Sequence, residues 1–143
     1  MAQINAELAP SRIMLAMLRV SDLEASIAFY RDMLGMREIR RETFDTVSFT
    51  AVYMGYGEEE DGVVIELTHN WENDGYEHGT AFGNITLAVK DVYAVEAFLK
   101  ENGVTILRPA GELPFTPKET GRIYTLAHIA DLDGYRIELI QSE

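Results

Sequence analysis

Residues 17–36 read MLRVSDLEASIAFYRDMLGM, and a related pattern returns at residues 87–104 as LAVKDVYAVEAFLKENGV. In both stretches a short apolar segment ends in valine, and one further residue and an aspartate precede a helical pattern. Val20-Ser21-Asp22 thus aligns with Val89-Lys90-Asp91. Because self-similar stretches fold as copies of one unit, this repetition predicts a duplicated module.

The helix in each copy has clear start and stop signals. Ser21 and Glu24 have the spacing of a capping box, which predicts Ser21 as the N-cap of the first helix. Its apolar residues recur at helical spacing before Gly35, at Leu23, Ile27, Tyr30 and Leu34. In the second copy Asp91 is the predicted cap and Gly103 the predicted stop.

Strands complete each copy. Residues 63–68 and 135–140 form related closing strands, and an aspartate followed shortly by glycine precedes each of them. The remaining strand candidates are residues 36–41, 47–55, 104–107 and 122–129. The order strand, helix, three strands therefore occurs twice, which predicts an α+β fold of two βαβββ modules forming a curved mixed sheet around a cleft.

These patterns give the expected domain organisation. Residues 1–143 form a single domain, with repeat one over about residues 12–68 and repeat two over about residues 83–143. The polar, glycine-containing residues 69–82 are the predicted linker. A chain of 143 residues has room for one well-filled core.

Composition narrows the function classes. The chain has 24 acidic and 12 basic residues, and its formal net charge of -12 disfavours nucleic acid and anionic membranes as partners. It has no cysteine, which excludes thiolate metal ligands and a cysteine nucleophile. With no visible signal peptide and no apolar run near the length of a spanning helix, the expected location is the cytoplasm.

Two glutamates stand out because each lies inside an apolar closing strand. Glu66 lies between Ile65 and Leu67, and Glu138 occupies the equivalent point of the second copy. Strand alternation places each glutamate on the face opposite its apolar neighbours, which pack under the helices. One such glutamate is typical of a solvent-exposed face, whereas two at matching repeat positions favour a functional site in the cleft.

The chain resembles bacterial glyoxalase I, a lactoylglutathione lyase of the vicinal-oxygen-chelate superfamily. The resemblance runs from about residue 12 onward and depends on four blocks in the same order: MLRVSDLEASIAFYRDMLGM, VVIELTHNW, YEHGTAFGNITLAV and DLDGYRIELI. It implies a homodimer with Zn²⁺ or Ni²⁺ sites at the subunit interface. It also implies Glu66 and Glu138 as metal ligands, with Glu138 as the catalytic base and Glu66 as a ligand or second proton carrier.

The sequence departs from this family at the other two ligand positions. There the family has histidine or glutamine, and this chain has Leu15 and Asn84. Leucine has no donor atom and an amide oxygen is a weak ligand, so we expect a weakly bound metal or none. Asn84 is also a candidate hydrogen-bond donor to the substrate. His128, where the family usually has an aromatic residue, is either a replacement ligand, a general acid or base, or part of the pocket wall.

The resemblance also implies a site for glutathione. Arg19 and Asn70 match the residues that hold its γ-glutamyl end, and Met17 alternates onto the same face as Arg19. For either residue alone, a surface ion pair or a turn is the ordinary interpretation. His69 is predicted to lie outside the cleft and His78 on the surface of the linker.

Two functions follow as expectations. One is isomerisation of a hemithioacetal of glutathione and a 2-oxoaldehyde such as methylglyoxal to a 2-hydroxyacyl-glutathione, or a related glutathione-adduct reaction in a rebuilt site. The alternative is a metal-free small-molecule binding or sequestration protein of the same fold, similar to bleomycin-resistance proteins. The enzyme interpretation is favoured, with a glutathione conjugate as the small-molecule substrate.

Overall fold

The computed structural model describes residues 2–73 and 75–142, which form two four-stranded mixed sheets. The first sheet has the strand order β1-β4-β3-β2. Its strands are β1 Leu15–Arg19, β2 Arg37–Phe44, β3 Phe49–Gly55 and β4 Val64–Asn70. β1 and β4 are parallel, and the other pairs are antiparallel.

The second sheet repeats this topology with the order β5-β8-β7-β6. Its strands are β5 Ile85–Val89, β6 Thr105–Glu112, β7 Thr125–Ala130 and β8 Arg136–Gln141. β5 and β8 are again the parallel pair. Each module therefore has the predicted order strand, helix, three strands, and the predicted α+β class is confirmed. The strand predicted to end at residue 68 continues to Asn70.

The two helices are α1 Leu23–Ala28, which continues as a π-helical turn Phe29–Met33, and α2 Val92–Glu101. Asp91 caps α2 as predicted, because its side chain accepts hydrogen bonds from the Tyr93 and Ala94 amides. After the helical residues of each copy comes a glycine with positive φ, Gly35 at 73° and Gly103 at 81°.

The predicted capping box of α1 is wrong. Asp22 is the N-cap, and its carboxylate accepts a hydrogen bond from the Ala25 amide at 3.1 Å. The Ser21 hydroxyl instead donates to Asp133 in the second module, at 2.6 Å. A residue distant in sequence therefore binds the serine that local spacing assigned as the cap. The equivalent aspartates of the two copies, Asp22 and Asp91, cap the two helices.

One hydrophobic core joins the two modules on the helix side of their sheets. Both sheets and both helices contribute fully or nearly fully buried side chains to it, among them Leu18, Ile27, Val52, Leu67, Leu99, Ile129, Ile137 and Leu139. Because successive strand residues point to opposite faces, the face of each sheet away from the helices lies away from this core.

A buried polar contact also links the modules. The Tyr30 hydroxyl donates to Asp131 Oδ2 at 2.6 Å, and these side chains are 1% and 7% exposed. Burial raises the pKa of both groups. The second oxygen of Asp131 accepts hydrogen bonds from the Asp133 and Tyr135 amides, so this carboxylate both shapes the β7–β8 turn and holds the π-helical turn that follows α1.

None of the helices in residues 2–73 and 75–142 has the length and apolar character needed to cross a membrane.

Candidate active site

Glu66 lies in β4 on the face of the first sheet away from the helices. Its Cα partners are Met17 in β1 and Tyr53 in β3. Its carboxylate is half-buried and accepts a hydrogen bond from the Thr68 hydroxyl at 2.6 Å. Thr68 is two residues further along the strand and so shares the face of Glu66.

Glu138 occupies the same point of the second sheet and has more partners. His128 Nε2 lies 2.9 Å from Glu138 Oε2, and the Thr86 hydroxyl donates to Oε1 at 3.2 Å. Thr86 in turn accepts a hydrogen bond from the Asn84 amide at 2.9 Å. Both oxygens of Glu138 are therefore held, one by an imidazole and one by a hydroxyl that Asn84 orients.

His128 and Glu138 are each about one-fifth exposed, at 20% and 21% of their side-chain surface. A carboxylate and an imidazole in this geometry exchange a proton easily, and the pair stays accessible to a small molecule. This contact is compatible with the predicted role of His128 as acid or base.

The strand register gives each glutamate a matching row of neighbours. Arg40 lies opposite Tyr53, which lies opposite Glu66, and in the second sheet Arg108 lies opposite His128, which lies opposite Glu138. Tyr53 is therefore the repeat equivalent of His128.

Sequence reasoning missed Tyr53, although its position can be found by aligning β3 with β7 once the register is known. Its hydroxyl donates to Glu42 at 2.8 Å, and the Arg40 guanidinium stacks 3.6 Å from its ring centroid. Burial, the hydrogen bond from its hydroxyl to Glu42 and the nearby Glu66 charge raise the pKa of Tyr53 to about 12. It is consequently a neutral hydroxyl at physiological pH.

Leu15 occupies the position at which the resemblance implies a metal ligand. It packs against a small apolar cluster of Ala51, Tyr53 and Val64, on the same face as Glu66. Leucine supplies no lone pair, and the Asn84 amide nitrogen is committed to Thr86. The four-ligand set that the resemblance implies therefore does not fit the residues present.

A single chain does not gather all the predicted catalytic residues. Across residues 2–73 and 75–142, no three His, Asp or Glu side chains come close enough together to hold a metal ion. Glu66 consequently does not join the His128–Glu138 pair within one chain. The two glutamates lie on separate sheets, each on the face away from the shared core.

The predicted glutathione residues lie near Glu66. Met17 is Glu66's partner in the register and is 40% exposed. Met17 and Arg19 line a pocket of about 250 Å³ between β1 and the linker. Asn70 Nδ2 lies 3.5 Å from the hydroxyl oxygen of Tyr76, which lines the same pocket. The structure thus brings Met17, Arg19 and Asn70 together at one end of the sheet.

The two remaining histidines differ from each other. The His69 ring lies 3.0 Å from the Val20 carbonyl oxygen and does not share the face of Glu66, as predicted. His78 in the linker is partly exposed, and its ring stacks on Tyr135 with centroids 4.2 Å apart. Linker composition alone does not reveal this contact, because Tyr135 is distant in sequence.

Two βαβββ modules, each with a carboxylate at the same point of its last strand, define a protein of the vicinal-oxygen-chelate class. The chain belongs to the Glyoxalase/Bleomycin resistance protein/Dioxygenase superfamily, whose family model matches residues 12–139.

Curated relatives place it near one branch of this superfamily. The chain is 41% identical over 126 residues to a probable lactoylglutathione lyase of Synechocystis, covering 88% of this chain and 92% of that protein. It is 40% identical over 132 residues to the lactoylglutathione lyase of Neisseria meningitidis serogroup A, covering 92% and 91%. The protein is therefore glyoxalase-I-like.

Solved structures agree. Glyoxalase I from Zea mays is 34% identical with a TM-score of 0.81, and the match covers 92% of this chain but 44% of the longer maize chain. The trypanothione-dependent glyoxalase I of Leishmania major is 35% identical with a TM-score of 0.77, covering 92% and 87%.

Proposed function

We propose that this protein isomerises the hemithioacetal of glutathione and a 2-oxoaldehyde to a 2-hydroxyacyl-glutathione, the reaction for which its curated relatives are named. The observation that carries the proposal is the His128–Glu138 pair, with 2.9 Å between nitrogen and oxygen, together with Glu66 at the matching position of the other module. These three side chains supply the proton carriers that the reaction needs.

The isomerisation moves two protons and needs no other reactant. The C1–H bond breaks and a C2–H bond forms, while the proton of the C1 hydroxyl passes to the C2 oxygen. C1 is oxidised by two electrons and C2 is reduced by two, so the reaction is balanced within the substrate. The reaction therefore requires one group that carries a proton between the two carbons (a carbon-proton carrier) and one that carries a proton between the two oxygens (an oxygen-proton carrier).

Glu138 is the proposed base at C1, since Thr86 and His128 hold its two oxygens in place. His128 is the proposed oxygen-proton carrier: it donates to the C2 oxygen as negative charge develops there and takes up the proton of the C1 hydroxyl in exchange. Glu66, with one oxygen bonded to Thr68, is the second carbon-proton carrier: it gives a proton to C2 and regains one from water, while Glu138 releases to water the proton that it removed from C1. No step is assigned to a metal, because Leu15 and Asn84 do not supply the donors that Zn²⁺ or Ni²⁺ prefers.

The proposed active site forms between two copies of the chain. Within one chain Glu66 does not join the His128–Glu138 pair, and each glutamate lies on a sheet face turned away from the shared core. A homodimer in which the first module of one copy faces the second module of the other would bring the three residues together. Met17, an apolar side chain beside Glu66, is 40% exposed in the single chain, and a second copy that covered this face would bury it.

Arg19 and Asn70 are the proposed ligands of the γ-glutamyl end of the substrate, and Met17 is part of the pocket wall. Asn84 contributes through Thr86, whose hydroxyl it orients toward Glu138. A cytoplasmic location suits this substrate, because the cytosol holds the glutathione pool that keeps thiols reduced.

The direct test is turnover of the methylglyoxal–glutathione hemithioacetal by the purified protein, with and without a chelator and with added Ni²⁺ or Zn²⁺. We expect turnover that survives chelation and that Glu138→Gln lowers by about 100-fold or more. Absence of turnover under every condition would contradict the proposal. Sedimentation or light scattering on the same sample checks the dimer.

A second candidate function is metal-free binding or sequestration of a small molecule. The observation that favours it is Leu15, which fills a ligand position with an apolar side chain packed against its neighbours. Stabilisation by S-alkyl glutathione without turnover would support this function over the first.

A further inference from the structure

Tyr53 lies in β3 on the face of the first sheet away from the helices, since Val52 and Met54 on either side of it are buried in the main core. Its Cα partners on the two flanking strands are Arg40 and Glu66. The side chain is 7% exposed and belongs to a small apolar cluster that is separate from the main core. A hydroxyl group is therefore held on the strand next to the proposed proton carrier Glu66.

Arg40 and Glu42 fix the position of the Tyr53 hydroxyl. The hydroxyl donates to Glu42 Oε1 at 2.8 Å, and Arg40 Nη1 lies 2.8 Å from the same oxygen. The Arg40 guanidinium also stacks on the Tyr53 ring, 3.6 Å from its centroid. Because each of these three side chains contacts the other two, the hydroxyl oxygen is preorganised before any substrate binds.

The proton of this hydroxyl has a second direction in which it can point. A phenol hydroxyl donates in either of two directions in the plane of its ring. Here one direction leads to Glu42 on β2, and the opposite one leads away from β2, to the side of β3 on which β4 carries Glu66. If the proton turns away, Glu42 Oε1 keeps Arg40 as a donor, so its charge stays paired.

Tyr53 is also the available donor beside Glu66. On this face Glu66 is flanked along its own strand by Val64 and Thr68, and across the strands by Met17 and Tyr53. Val64 and Met17 are apolar, and the Thr68 hydroxyl donates to Glu66 itself. The Tyr53 hydroxyl is therefore the group in this set that can donate to a bound molecule.

We propose that Tyr53 is a further catalytic residue, whose hydroxyl donates a hydrogen bond to the C1 oxygen of the enediolate as negative charge develops there. The inference rests on the proposed function, in which His128 takes up the proton of the C1 hydroxyl and Glu66 gives a proton to C2. Negative charge lies on the C1 oxygen between these two steps. Tyr53 keeps its own proton throughout, so it adds no proton transfer to the reaction.

The residues at the implied metal positions give this hydrogen bond its purpose. Leu15 and Asn84 do not complete a ligand set, so the charge of the enediolate needs a stabilising partner within the protein. Leu15 packs against the cluster that contains Tyr53. The side chain at one implied ligand position therefore supports the aromatic ring that carries the proposed donor.

Tyr53→Phe removes only the hydroxyl and keeps the ring in its cluster. With the methylglyoxal adduct of glutathione we expect kcat to fall by about 100-fold and KM to stay within about twofold. Glu42→Ala is the matched variant, because it removes the partner of the hydroxyl in the free protein but keeps the hydroxyl. We expect it to lower kcat by less than about fivefold. Equal losses of kcat in the two variants would mean that Tyr53 serves only to join β2 to β3.

Binding of two glutathione conjugates gives a readout without turnover. A hydroxamate conjugate has two adjacent oxygens in one plane, as the enediolate has, whereas S-methylglutathione has neither oxygen. We expect Tyr53→Phe to raise the dissociation constant of the hydroxamate by about tenfold or more and to leave that of S-methylglutathione within about twofold. No change for the hydroxamate, or an equal loss for both conjugates, would overturn the inference.

The two sets of measurements also separate this inference from the proposed function. A parent protein without turnover contradicts the proposed function, and the hydroxamate comparison then still decides whether Tyr53 donates to such an oxygen. A parent protein with turnover, together with an unchanged kcat in Tyr53→Phe, contradicts the role of Tyr53 alone.

Discussion

His128 and Glu138 lie directly opposite each other on β7 and β8, with Nε2 2.9 Å from Oε2. The strand register creates this contact, since cross-strand neighbours in an antiparallel pair have Cβ atoms about 5 Å apart. The hydroxyl of Thr86 approaches the other oxygen of Glu138 from the parallel strand β5. The carboxylate is thus held between one group that can carry a proton and one that only orients it.

Replacing His128 by phenylalanine tests whether the imidazole does more than line the pocket. Phe keeps an aromatic ring in the wall but has no proton to give, so we expect kcat to fall by about 100-fold or more while the fold is retained. Steady-state kinetics with the glutathione–methylglyoxal adduct measures the change.

His69→Phe is the control for that experiment, because His69 contacts the Val20 carbonyl outside the face of Glu66. We expect its kcat to stay near that of the parent protein, although its stability falls. If His128→Phe kept full kcat, His128 would be a wall residue and the oxygen-proton carrier would lie elsewhere.

The sequence reveals the two glutamates of this site but not the position of Tyr53. The repeated Ile-Glu-Leu triplet is visible in the chain, and alternation alone places Glu66 and Glu138 on the face away from the core. Tyr53 is not visible in this way. Its match to His128 depends on how residues of β3 pair with residues of β4. One sequence alone does not determine that register.

Tyr30 and Asp131 provide a test of how the two modules are held together. Tyr30→Phe leaves Asp131 Oδ2 buried without its 2.6 Å donor, and we expect it to lower the free energy of unfolding by about 1–3 kcal/mol. Urea denaturation at neutral pH measures the difference.

Tyr93→Phe is the matched control, because Tyr93 is 53% exposed on α2. We expect it to change the free energy of unfolding by less than about 0.5 kcal/mol. If Tyr30→Phe and Tyr93→Phe had equal free energies of unfolding, the hydrogen bond from Tyr30 to Asp131 would add nothing to stability beyond the packing of the Tyr30 ring.

Asp131 also predicts a pH dependence of stability. Burial is the main cause that raises its folded-state pKa above the ordinary 3.8, so the folded protein holds this proton more tightly than the unfolded chain. Its contribution to stability is therefore fully present below pH 3.8 and is lost as the pH rises through the folded-state pKa. Asp131→Asn removes the titration while an amide oxygen can still accept from the Asp133 and Tyr135 amides.

Urea unfolding of the parent and Asp131→Asn at several pH values between about 4 and 7 checks this dependence. We expect the parent to lose stability relative to the variant as the pH rises across this range. Asp45→Asn, at an exposed position, is expected to follow the parent at every pH. Parallel curves for the parent and Asp131→Asn would contradict the prediction.

Contacts between the modules account for much of what sequence reasoning could not supply. The strand and helix order follows from local periodicity, and the Asp91 cap was confirmed because all its partners lie within three residues. Ser21 has an equally good local pattern but bonds to Asp133, 112 residues away. A local signal therefore fails where a carboxylate distant in sequence binds the same hydroxyl.

The last prediction concerns Leu15 and Asn84, which separate this chain from the metal-binding pattern that it resembles. Changing both to histidine supplies two imidazole donors beside the two glutamates, and Zn²⁺ and Ni²⁺ prefer such donors to an amide or no ligand. We expect the double variant, purified with added Zn²⁺ or Ni²⁺ and then desalted, to retain close to one metal ion per proposed site, measured by elemental analysis. Each single variant should retain much less, because it still lacks one donor. Leu15→His also removes an apolar contact with Tyr53 and Val64, so we expect it to cost about 1–2 kcal/mol of stability. A double variant that remained folded and dimeric but retained no metal would show that the backbone, and not only these two side chains, departs from a metal-binding arrangement.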